Sequence, residues 1–286
     1  MRKKIVCLSA ALILLSTSLC SFGAETETGV IGNGTGIAVE ETGAEDSGQA
    51  FSTDAFLPEE RRGEKSIWGY DDRTTIWDTY AYPYSSIAYI SVTCPYGEGY
   101  SGSGFMVSKN CLLTAAHVMY CKEHECFCDT ARFYFGYQQD GGYGYKYDGS
   151  YTYWYSDAYV DGSNDDKDYC YIRFNDTNVG DYTGWLGITS MSDSSLDMVH
   201  DVEAAGYRDG ILKIGPGEIL SYDAYCINYN ADHEPGNSGG PVFYDNGASP
   251  IAIIAAHNNS YNIGTRITDS LMHNMENEGL IQVNWN

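Results

Sequence analysis

The strongest constraint on the fold is a set of short apolar runs that are separated by turn residues. In chain order they read SIAYISV (86–92), FMVS (105–108), YCYIRF (169–174) and PIAIIAAH (250–257). Short alternating runs with turns between them are typical of β-sandwiches and β-barrels. Only TDSLMHNMENEGL, near the end of the chain, has helical spacing. The sequence therefore predicts an all-β fold with a short C-terminal helix.

A further strand signal is rich in tyrosine. The stretch GGYGYKYDGSYTYWY (141–155) consists largely of aromatic residues and glycine, and strands favour aromatic residues. We predict a β-hairpin whose tyrosines face the solvent. Contact of these rings with a polymer such as cell-wall material is the alternative interpretation.

The chain begins with the three-part pattern of a secretory signal peptide. Basic residues 2–4 precede an apolar run over residues 5–15, and small residues follow. The run is shorter than the about 20 residues that a membrane-spanning helix needs. We therefore expect residues 1–24 to be removed and the protein to be secreted, with no stable membrane association.

Residues 25–65 differ in composition from the rest of the chain. They are rich in Gly, Thr and Glu and poor in aromatic residues, which is typical of a flexible segment. The segment ends in a basic cluster that closes at Lys65, and such clusters in flexible chain are good protease sites. We predict a pro-segment that an activating protease removes after Lys65, with an inert linker as the alternative. The remaining domain, residues 66–286, has the size of one all-β domain or of two small barrels that share a core.

The charge of the chain excludes one class of function. The formal net charge is −23, whereas phosphate recognition needs a basic face. We therefore expect no nucleic-acid partner. Strong acidity instead favours solubility and attracts cationic substrates.

Seven cysteines remain once the two in the predicted signal peptide are removed. An odd number in a secreted protein implies at least one free thiol or an intermolecular bond. The stretch CKEHECFC (121–128) holds three of them and His124, a ligand set that occurs in structural zinc sites. Its spacing does not match the usual C-x2-C pairs, and a secreted protein meets oxidising conditions. We expect a disulfide-tied loop, with no metal and no cofactor, and the connectivity stays open.

The stretch HEPGNSGGPVF (233–243) predicts a tight loop around Ser238. Gly236 precedes the serine by two residues, and two further glycines follow it. Backbone N–H groups in such a loop can converge on one point, which is the arrangement that an oxyanion hole needs. Glycine-rich turns with a serine are also common in β-proteins. A catalytic role therefore depends on a histidine and an aspartate elsewhere in the chain.

His117 and Asp168 are the candidate partners of this serine. His117 follows the strand-like CLLT and two alanines, small residues that let an imidazole reach a crowded site. Asp168 directly precedes the run YCYIRF, where a carboxylate can be buried and can orient an imidazole. Asp165 and Asp166 are expected in solvent. The order His117, Asp168, Ser238 is that of chymotrypsin-type double barrels, not that of subtilisin or the α/β-hydrolases.

The motifs TAAH around His117 and GNSGGP around Ser238 resemble those of the trypsin-like serine proteases. Within that group the chain most resembles the bacterial glutamyl endopeptidases, over nearly all of residues 66–286. The narrower resemblance rests on SIWGYDDRTTIWDTYAYPYSSIAYIS (66–91) and AAHNNSYNIGTRITDSL (255–271). It implies a chymotrypsin-like fold of two six-stranded β-barrels, a monomer, and hydrolysis of peptide bonds in protein or peptide substrates.

The resemblance also implies a role for each catalytic residue. Ser238 is the nucleophile, His117 the general base and Asp168 its orienting partner. Gly236 and Ser238 donate backbone N–H groups to the oxyanion. Asn237 stands where trypsin has the aspartate that pairs with the new N-terminus, so that activation switch is not expected.

Two further consequences follow from the resemblance. Relatives commonly join the strand before the catalytic histidine to the residue just after it by a disulfide, and here those positions are Gly102 and Val118. A binding protein that kept this fold and lost catalysis is an alternative from another functional class. The unsubstituted His117, Asp168 and Ser238 argue against it.

The specificity pocket is the least constrained part of the prediction. His257 lies where relatives bind the carboxylate of a substrate glutamate, or of an aspartate, and the α-amino group of Ser66 adds a positive charge near it. His233 stands where relatives often have a hydroxyl residue, and it either binds the carboxylate or narrows the pocket. Asp232 aligns by counting with the aspartate that gives trypsin its Lys/Arg preference. Specificity for Lys or Arg therefore stays open as the alternative.

Overall fold

The computed structural model describes part of the chain. It describes residues 31–37 and 51–52 as backbone, and residues 67, 69–128, 130–147, 149–244, 249–258 and 260–283 with their side chains. The predicted signal peptide, most of the predicted pro-segment and Ser66 lie outside the described residues. No helix in the described part of the chain is both long and apolar enough to cross a membrane.

The described residues are mostly β-structure, as predicted. The strands are β1 (Ile31–Ile37), β2 (Phe51–Ser52), β3 (Thr74–Thr75), β4 (Ile87–Thr93), β5 (Gly99–Met106), β6 (Cys111–Thr114), β7 (Tyr120–Cys121), β8 (Cys126–Phe127), β9 (Thr130–Phe135), β10 (Tyr145–Tyr147), β11 (Ser150–Ser156), β12 (Cys170–Phe174), β13 (Asp201–Arg208), β14 (Ile211–Tyr222), β15 (Cys226–Tyr229), β16 (Pro241–Tyr244), β17 (Ser249–His257) and β18 (Asn262–Arg266). The α-helices are α1 (Ala116–Met119), α2 (Asp157–Val160), α3 (Val179–Thr183), α4 (Asp193–Leu196) and α5 (Asp269–Asn277), and a 3-10 turn covers Tyr84–Ser86.

The predicted C-terminal helix is α5. Its N-cap is Thr268, whose side-chain oxygen accepts a hydrogen bond from the backbone N–H of Leu271 at 3.2 Å. This bond satisfies one of the amide groups that a helix N-terminus leaves without an intrahelical partner. Leu271, Met272 and Met275 are buried, so the helix is fixed to the body of the protein by one apolar face.

The strands of the second half form a closed barrel. Their order is β13-β16-β17-β18-β15-β14, and β13 also pairs with β14 over eight register positions, which closes the ring at six strands. β3 adds to the outer side of β14. The core of this barrel is aliphatic, with Val202, Ile227, Val242 and Ile254 buried.

The strands of the first half form a nine-stranded sheet around an aromatic-rich core. Their order is β1-β11-β12-β6-β5-β4-β9-β10, with β2 added to β5. The ring centroid of Phe174 lies 5.0 Å from that of Phe133 and 4.2 Å from that of Tyr147. The expectation of a chymotrypsin-like arrangement with two β-barrels is confirmed.

The prediction of a hairpin with solvent-facing tyrosines over residues 141–155 is wrong. β10 pairs with β9, and β11 pairs with β12, so β10 and β11 are not partners. Tyr147 and Tyr151 are almost completely buried. Aromatic side chains bury about 150–250 Å² each, so these rings fill the first core. The hydroxyl of Tyr147 keeps a partner by donating to the carbonyl oxygen of Ser150 at 2.5 Å.

Part of the predicted pro-segment belongs to the first sheet. β1 pairs with β11 in antiparallel register from Ile31↔Ser156 to Ile37↔Ser150, and Ile37 also meets Thr130 of β9. The sequence predicts a flexible segment here because it is rich in Gly, Thr and Glu and poor in aromatic residues. A strand that adds to a sheet edge is held by backbone hydrogen bonds and not by apolar side chains. The amino-acid composition therefore gives no signal for β1.

None of the described cysteines is in a disulfide. They are Cys94, Cys111, Cys121, Cys126, Cys128, Cys170 and Cys226. The expected disulfide-tied loop over residues 121–128 is instead a small hairpin, in which β7 and β8 pair and Cys121 lies opposite Cys126.

Candidate active site

His117 and Asp168 form a buried pair. Nδ1 of His117 lies 2.6 Å from Oδ2 of Asp168, and the backbone N–H of His117 donates to Oδ1 of the same carboxylate at 3.0 Å. Both side chains are completely buried. A carboxylate at Nδ1 holds the ring proton there and leaves Nε2 free to accept a proton. Nε2 is buried and has no hydrogen-bond partner among the described residues.

The chain positions each member of this pair at the end of a strand. His117 lies on α1, which begins two residues after β6, and all four residues of α1 are buried. Asp168 lies two residues before β12, which pairs with β6. Of the neighbouring carboxylates, Asp165 forms an ion pair with Lys122 instead. The choice of Asp168 among the three sequence candidates agrees with this geometry.

Ser238 lies in a glycine-rich loop between β15 and β16, here called the serine loop (residues 233–240). Gly236 and Gly239 have φ angles of +99° and +85°, a region that favours glycine. A Cβ atom at Gly239 would overlap the carbonyl oxygen of Ser103 and the hydroxyl oxygen of Thr114. These positions therefore need glycine for conformation and, at Gly239, for space.

Three backbone N–H groups of the serine loop, those of His233, Gly236 and Ser238, donate no hydrogen bond within the described part of the chain. The N–H of Asn237 donates to Glu234, that of Gly239 to Ile254, and that of Gly240 to Asn237, at 2.7–2.9 Å. No hydrogen bond of the described residues uses the N–H of Gly236 or Ser238. These are the two donors that the sequence predicts for an oxyanion hole.

The serine loop is held against β5, the strand that pairs with β6. The N–H of Ser103 on β5 donates to the carbonyl oxygen of Ser238 at 2.7 Å, and the hydroxyl of Ser103 donates to that of Gly236 at 2.9 Å. A Cβ atom at Gly102 would lie 2.7 Å from Val118 Cγ1 and 3.3 Å from the carbonyl oxygen of Ser238. The structure thus brings Ser238 close to α1. Gly102 and Val118 face each other, as the resemblance implied, with van der Waals packing in place of a disulfide.

Arg73 is part of this site, and the sequence reasoning missed it. Its Nη1 donates to Oδ1 of Asn237 at 3.3 Å, its Nη2 to Oε2 of Glu234 at 2.5 Å, and its Nε to Oδ1 of Asp71 at 2.8 Å. The hydrogen bond from Arg73 holds the pKa of Asp71 well below its ordinary value. The only signal in the sequence was the acidic–acidic–arginine turn at residues 71–73.

His233, the first residue of the serine loop, and His257, the last residue of β17, lie side by side. Their ring centroids are 5.6 Å apart with an interplanar angle of 71°, and both side chains are buried. The hydroxyl group of Tyr229 lies 3.1 Å from Nδ1 of His233. Burial first, and electrostatic interaction with the neighbouring His257 second, lower the pKa of His233 well below its ordinary value. A buried pair of this kind binds an anion together with a proton, because an anion favours the protonated imidazole.

Asp232, which directly precedes His233 in the chain, faces a different cavity. It lines a surface cavity together with Asp72, Asp201 and Glu218, and neither His233 nor His257 lines that cavity. Ser66, the remaining residue predicted for substrate binding, lies outside the described residues.

Sequence comparisons relate the chain to known peptidases. Residues 102–253 match the family described as "Trypsin-like peptidase domain". The chain is 30% identical over 218 residues to a protein of Bacillus subtilis named extracellular metalloprotease. It is also 30% identical over 227 residues to the glutamyl endopeptidase of Bacillus licheniformis. Each alignment covers 74% of this chain and 69% of the relative.

Solved structures show the same fold. A Glu endopeptidase in complex with MPD superposes with a TM-score of 0.62 at 21% identity, covering 76% of this chain and 100% of that structure. The protease Anisep from Arthrobacter nicotinovorans superposes with a TM-score of 0.55 at 19% identity, covering 68% of this chain and 94% of that structure.

Proposed function

Because this chain is a serine endopeptidase of the trypsin-like peptidase family, we propose that it cleaves polypeptides after glutamate, with Ser238 as nucleophile. The observation that carries the specificity is the buried pair formed by His233 of the serine loop and His257 of β17. Aspartate, which has the same carboxylate on a shorter side chain, is the second substrate residue that this pair accommodates.

The proposed reaction uses the geometry of His117 and Asp168. Nε2 of His117 takes the hydroxyl proton of Ser238 while Oγ bonds to the substrate carbonyl carbon, and Asp168 stabilises the imidazolium that forms. The proton then passes to the leaving amine as the peptide bond breaks. A water molecule, deprotonated by the same imidazole, hydrolyses the acyl-enzyme in the second half of the reaction.

The oxyanion of each tetrahedral intermediate is proposed to bind the N–H groups of Gly236 and Ser238. This role is supported because the N–H groups of Gly236 and Ser238 donate no hydrogen bond among the described residues, whereas those of Asn237, Gly239 and Gly240 donate to backbone carbonyl oxygens. Donors that are fixed before the reaction need no reorganisation when negative charge develops, and loss of one such donor typically costs about 2.7–4 kcal/mol in the barrier.

Glutamate specificity is supported by charge. An isolated carboxylate is costly to bury unless a cation or several donors meet it. His233 and His257 supply imidazole groups that can become positively charged when a carboxylate arrives, and the lowered pKa of His233 keeps the empty pocket free of an unpaired charge. The Bacillus licheniformis relative is named a glutamyl endopeptidase, which agrees with this interpretation.

Specificity for Lys or Arg through Asp232 is the second candidate. Its support is the position of Asp232, six residues before Ser238 in the chain. Its weakness is that Asp232 lines a cavity that neither His233 nor His257 lines.

A metal-dependent mechanism is the third candidate, because the Bacillus subtilis relative is named a metalloprotease. Among the described residues, the group of potential metal ligands consists of Cys94, Cys121 and His124. That group includes neither His117 nor Ser238, so it does not favour metal chemistry at this site.

The enzyme is further proposed to be secreted and made as a zymogen. Residues 1–24 are the proposed signal peptide and residues 25–65 the proposed pro-segment. Cleavage after Lys65 would free the α-amino group of Ser66, which is proposed to add positive charge to the specificity pocket. The relative named an extracellular protease supports the proposed location.

The test is hydrolysis of four peptide substrates that differ only in the residue before the scissile bond: Glu, Asp, Lys or Arg. The enzyme, activated at Lys65, is expected to cleave after Glu, and Ser238→Ala is expected to abolish cleavage.

His257→Gln is expected to lower kcat/KM for the Glu substrate about 10- to 150-fold, which corresponds to about 1.5–3 kcal/mol for a hydrogen bond to a charged group. The exposed His200 provides the matched control, His200→Gln, which should leave kcat/KM unchanged. Cleavage after Lys or Arg would instead assign specificity to Asp232.

A further inference from the structure

Three thiols and one imidazole meet at one end of the first sheet. They come from two separate parts of the chain. Cys94 directly follows β4, Cys121 ends β7, His124 lies in the turn after it, and Cys126 begins β8. The hairpin register places Cys121 directly opposite Cys126.

The ligand atoms of these four residues are close together. Sγ of Cys94 lies 3.7 Å from Sγ of Cys126 and 3.9 Å from Nδ1 of His124, and Sγ of Cys121 lies 3.3 Å from the same nitrogen. Tetrahedral zinc with bonds of about 2.3 Å to sulfur and about 2.0–2.1 Å to nitrogen separates two sulfur ligands by about 3.8 Å and a sulfur from a nitrogen by about 3.6 Å. The ligand atoms of Cys94, Cys121 and His124 all lie within 4.8 Å of one another, which is near the edge length of a zinc tetrahedron. Cys126 is outside this group of three but lies close to Cys94, so its thiol would complete the tetrahedron after a small movement of the side chain.

The residues around the cluster hold the imidazole in place. The ring of Tyr96 stacks on that of His124 at a centroid distance of 4.4 Å, and Oε2 of Glu98 lies 3.8 Å from Nδ1 of His124. Glu98 is itself held by a hydrogen bond from the hydroxyl of Tyr100 at 2.5 Å. The stacked ring of Tyr96 thus restricts the orientation of the His124 imidazole, and the carboxylate of Glu98 approaches the same nitrogen that faces the thiols.

We propose that Cys94, Cys121, His124 and Cys126 bind one zinc ion in a closed structural site. Soft thiolate ligands with one imidazole select zinc among the common divalent ions. Four protein ligands leave no position for water or substrate, so the ion is structural and takes no part in peptide hydrolysis. The ligand set in the sequence stretch 121–128 has Cys128 as its third thiol. In the structure the third thiol is that of Cys94, which directly follows β4 and is distant in the chain.

The proposed site explains how the strand that follows the catalytic histidine is fixed. Cys121 follows His117 by four residues, on the strand that succeeds α1. Zinc at this point ties the end of α1 to the turn after β4. It thus supplies a cross-link next to α1, where Gly102 and Val118 cannot form the disulfide of relatives. This inference does not depend on the proposed substrate specificity.

The test measures zinc and thiols in the full chain, purified as Ser238→Ala to prevent self-digestion and without added chelator. Elemental analysis is expected to find about one zinc ion per chain, as for a single four-ligand site. Cys94→Ser and His124→Gln should each lose the zinc. Cys128→Ala, which removes a thiol of the same stretch that lies outside the cluster, should keep it.

Replacement of the zinc in the unsubstituted cluster provides a measurement that does not depend on the folding of variants. After removal of the metal by a chelator under reducing conditions, addition of Co²⁺ should give the visible absorption bands of tetrahedral, thiolate-bound cobalt. A disulfide that joins Cys94 to Cys126 or to Cys121, found by mass analysis in zinc-free protein as first purified, would overturn the proposal. So would zinc that persists in both Cys94→Ser and His124→Gln.

Discussion

The guanidinium group of Arg73 donates a hydrogen bond to Oδ1 of Asn237, the residue directly before Ser238, at 3.3 Å. The same oxygen accepts a bond from the N–H of Glu234 at 2.7 Å, and Glu234 is also paired with Arg73. Arg73 therefore fixes both ends of the segment that carries Gly236. Asn237, which stands where trypsin has the aspartate that pairs with a new N-terminus, is thus hydrogen-bonded to an internal arginine.

This arrangement predicts that Arg73 is a positioning residue. We expect Arg73→Met to lower kcat about 10- to 100-fold with a smaller change in KM, because displacement of the oxyanion donors affects mainly the transition state. Arg73→Lys should restore little, since lysine cannot make the same fork of hydrogen bonds. The measurement is steady-state kinetics on the glutamyl substrate. Lys109→Gln, which removes an exposed charge paired with Asp181, is the control. Equal loss of activity in the control would refute the role.

Gly239 and Gly141 form a matched pair for a test of the serine loop. Their φ angles are nearly equal, at +85° and +86°, but a Cβ atom at Gly141 meets nothing within 4 Å, whereas one at Gly239 overlaps the Ser103 carbonyl oxygen. We expect Gly141→Ala to cost about 1–2 kcal/mol, the cost of the left-handed conformation alone. Gly239→Ala should cost more than about 3 kcal/mol and abolish activity. Urea denaturation measures both, and similar losses in the two variants would contradict the steric explanation.

The buried His233 predicts a pH dependence of stability. Its pKa is lowered from 6.5 by burial first, and by electrostatic interaction with His257, Arg73 and His117 next. Below about pH 6.5 the unfolded chain takes up a proton at this residue that the folded protein does not. The free energy of unfolding should therefore fall as the pH falls, by up to about 1.4 kcal/mol per pH unit from this residue.

We expect His233→Gln to remove this contribution. The free energy of unfolding, measured by urea denaturation in the Ser238→Ala background between about pH 5 and pH 8, should fall less steeply toward acidic pH in the variant. His200→Gln, at an exposed position, should keep the original slope. Identical slopes in all three proteins would show that His233 is not held neutral in the folded state.

The sequence predicts those parts of the fold and site that depend on local pattern. Short alternating runs indicated the all-β class, and they correspond to β4, β12 and β17. The glycines around Ser238 indicated a tight loop, and two of them, Gly236 and Gly239, adopt the positive φ angles that favour glycine. His117 and Asp168 could be selected because each borders a strand, where a polar side chain can be buried without interrupting the sheet.

The remaining features depend on contacts between distant residues, and these leave no local pattern. Arg73 reaches the serine loop across 164 residues of chain, and Cys94 reaches the hairpin of Cys121 from another strand. Tyrosines alternating with polar residues look like an exposed strand, and only the pairing of β11 with β12 determines that Tyr151 points into the core. Strand addition by β1 depends on backbone groups, which every sequence has.

The pairing of β1 with β11 predicts a measurable protection of backbone amides. Since β11 has β12 on one side and β1 on the other, removal of residues 31–37 leaves one row of its N–H groups exposed to solvent. We expect amide hydrogen exchange over residues 150–156 to be at least about tenfold slower in the full chain than in a chain lacking residues 31–37, both carrying Ser238→Ala. In the full chain, exchange requires the pairing of β11 with β1 to open first. Exchange over residues 201–208 of β13, in the other barrel, should be equal in the two chains. Equal exchange over residues 150–156 would show that this part of the proposed pro-segment does not stabilise the first sheet.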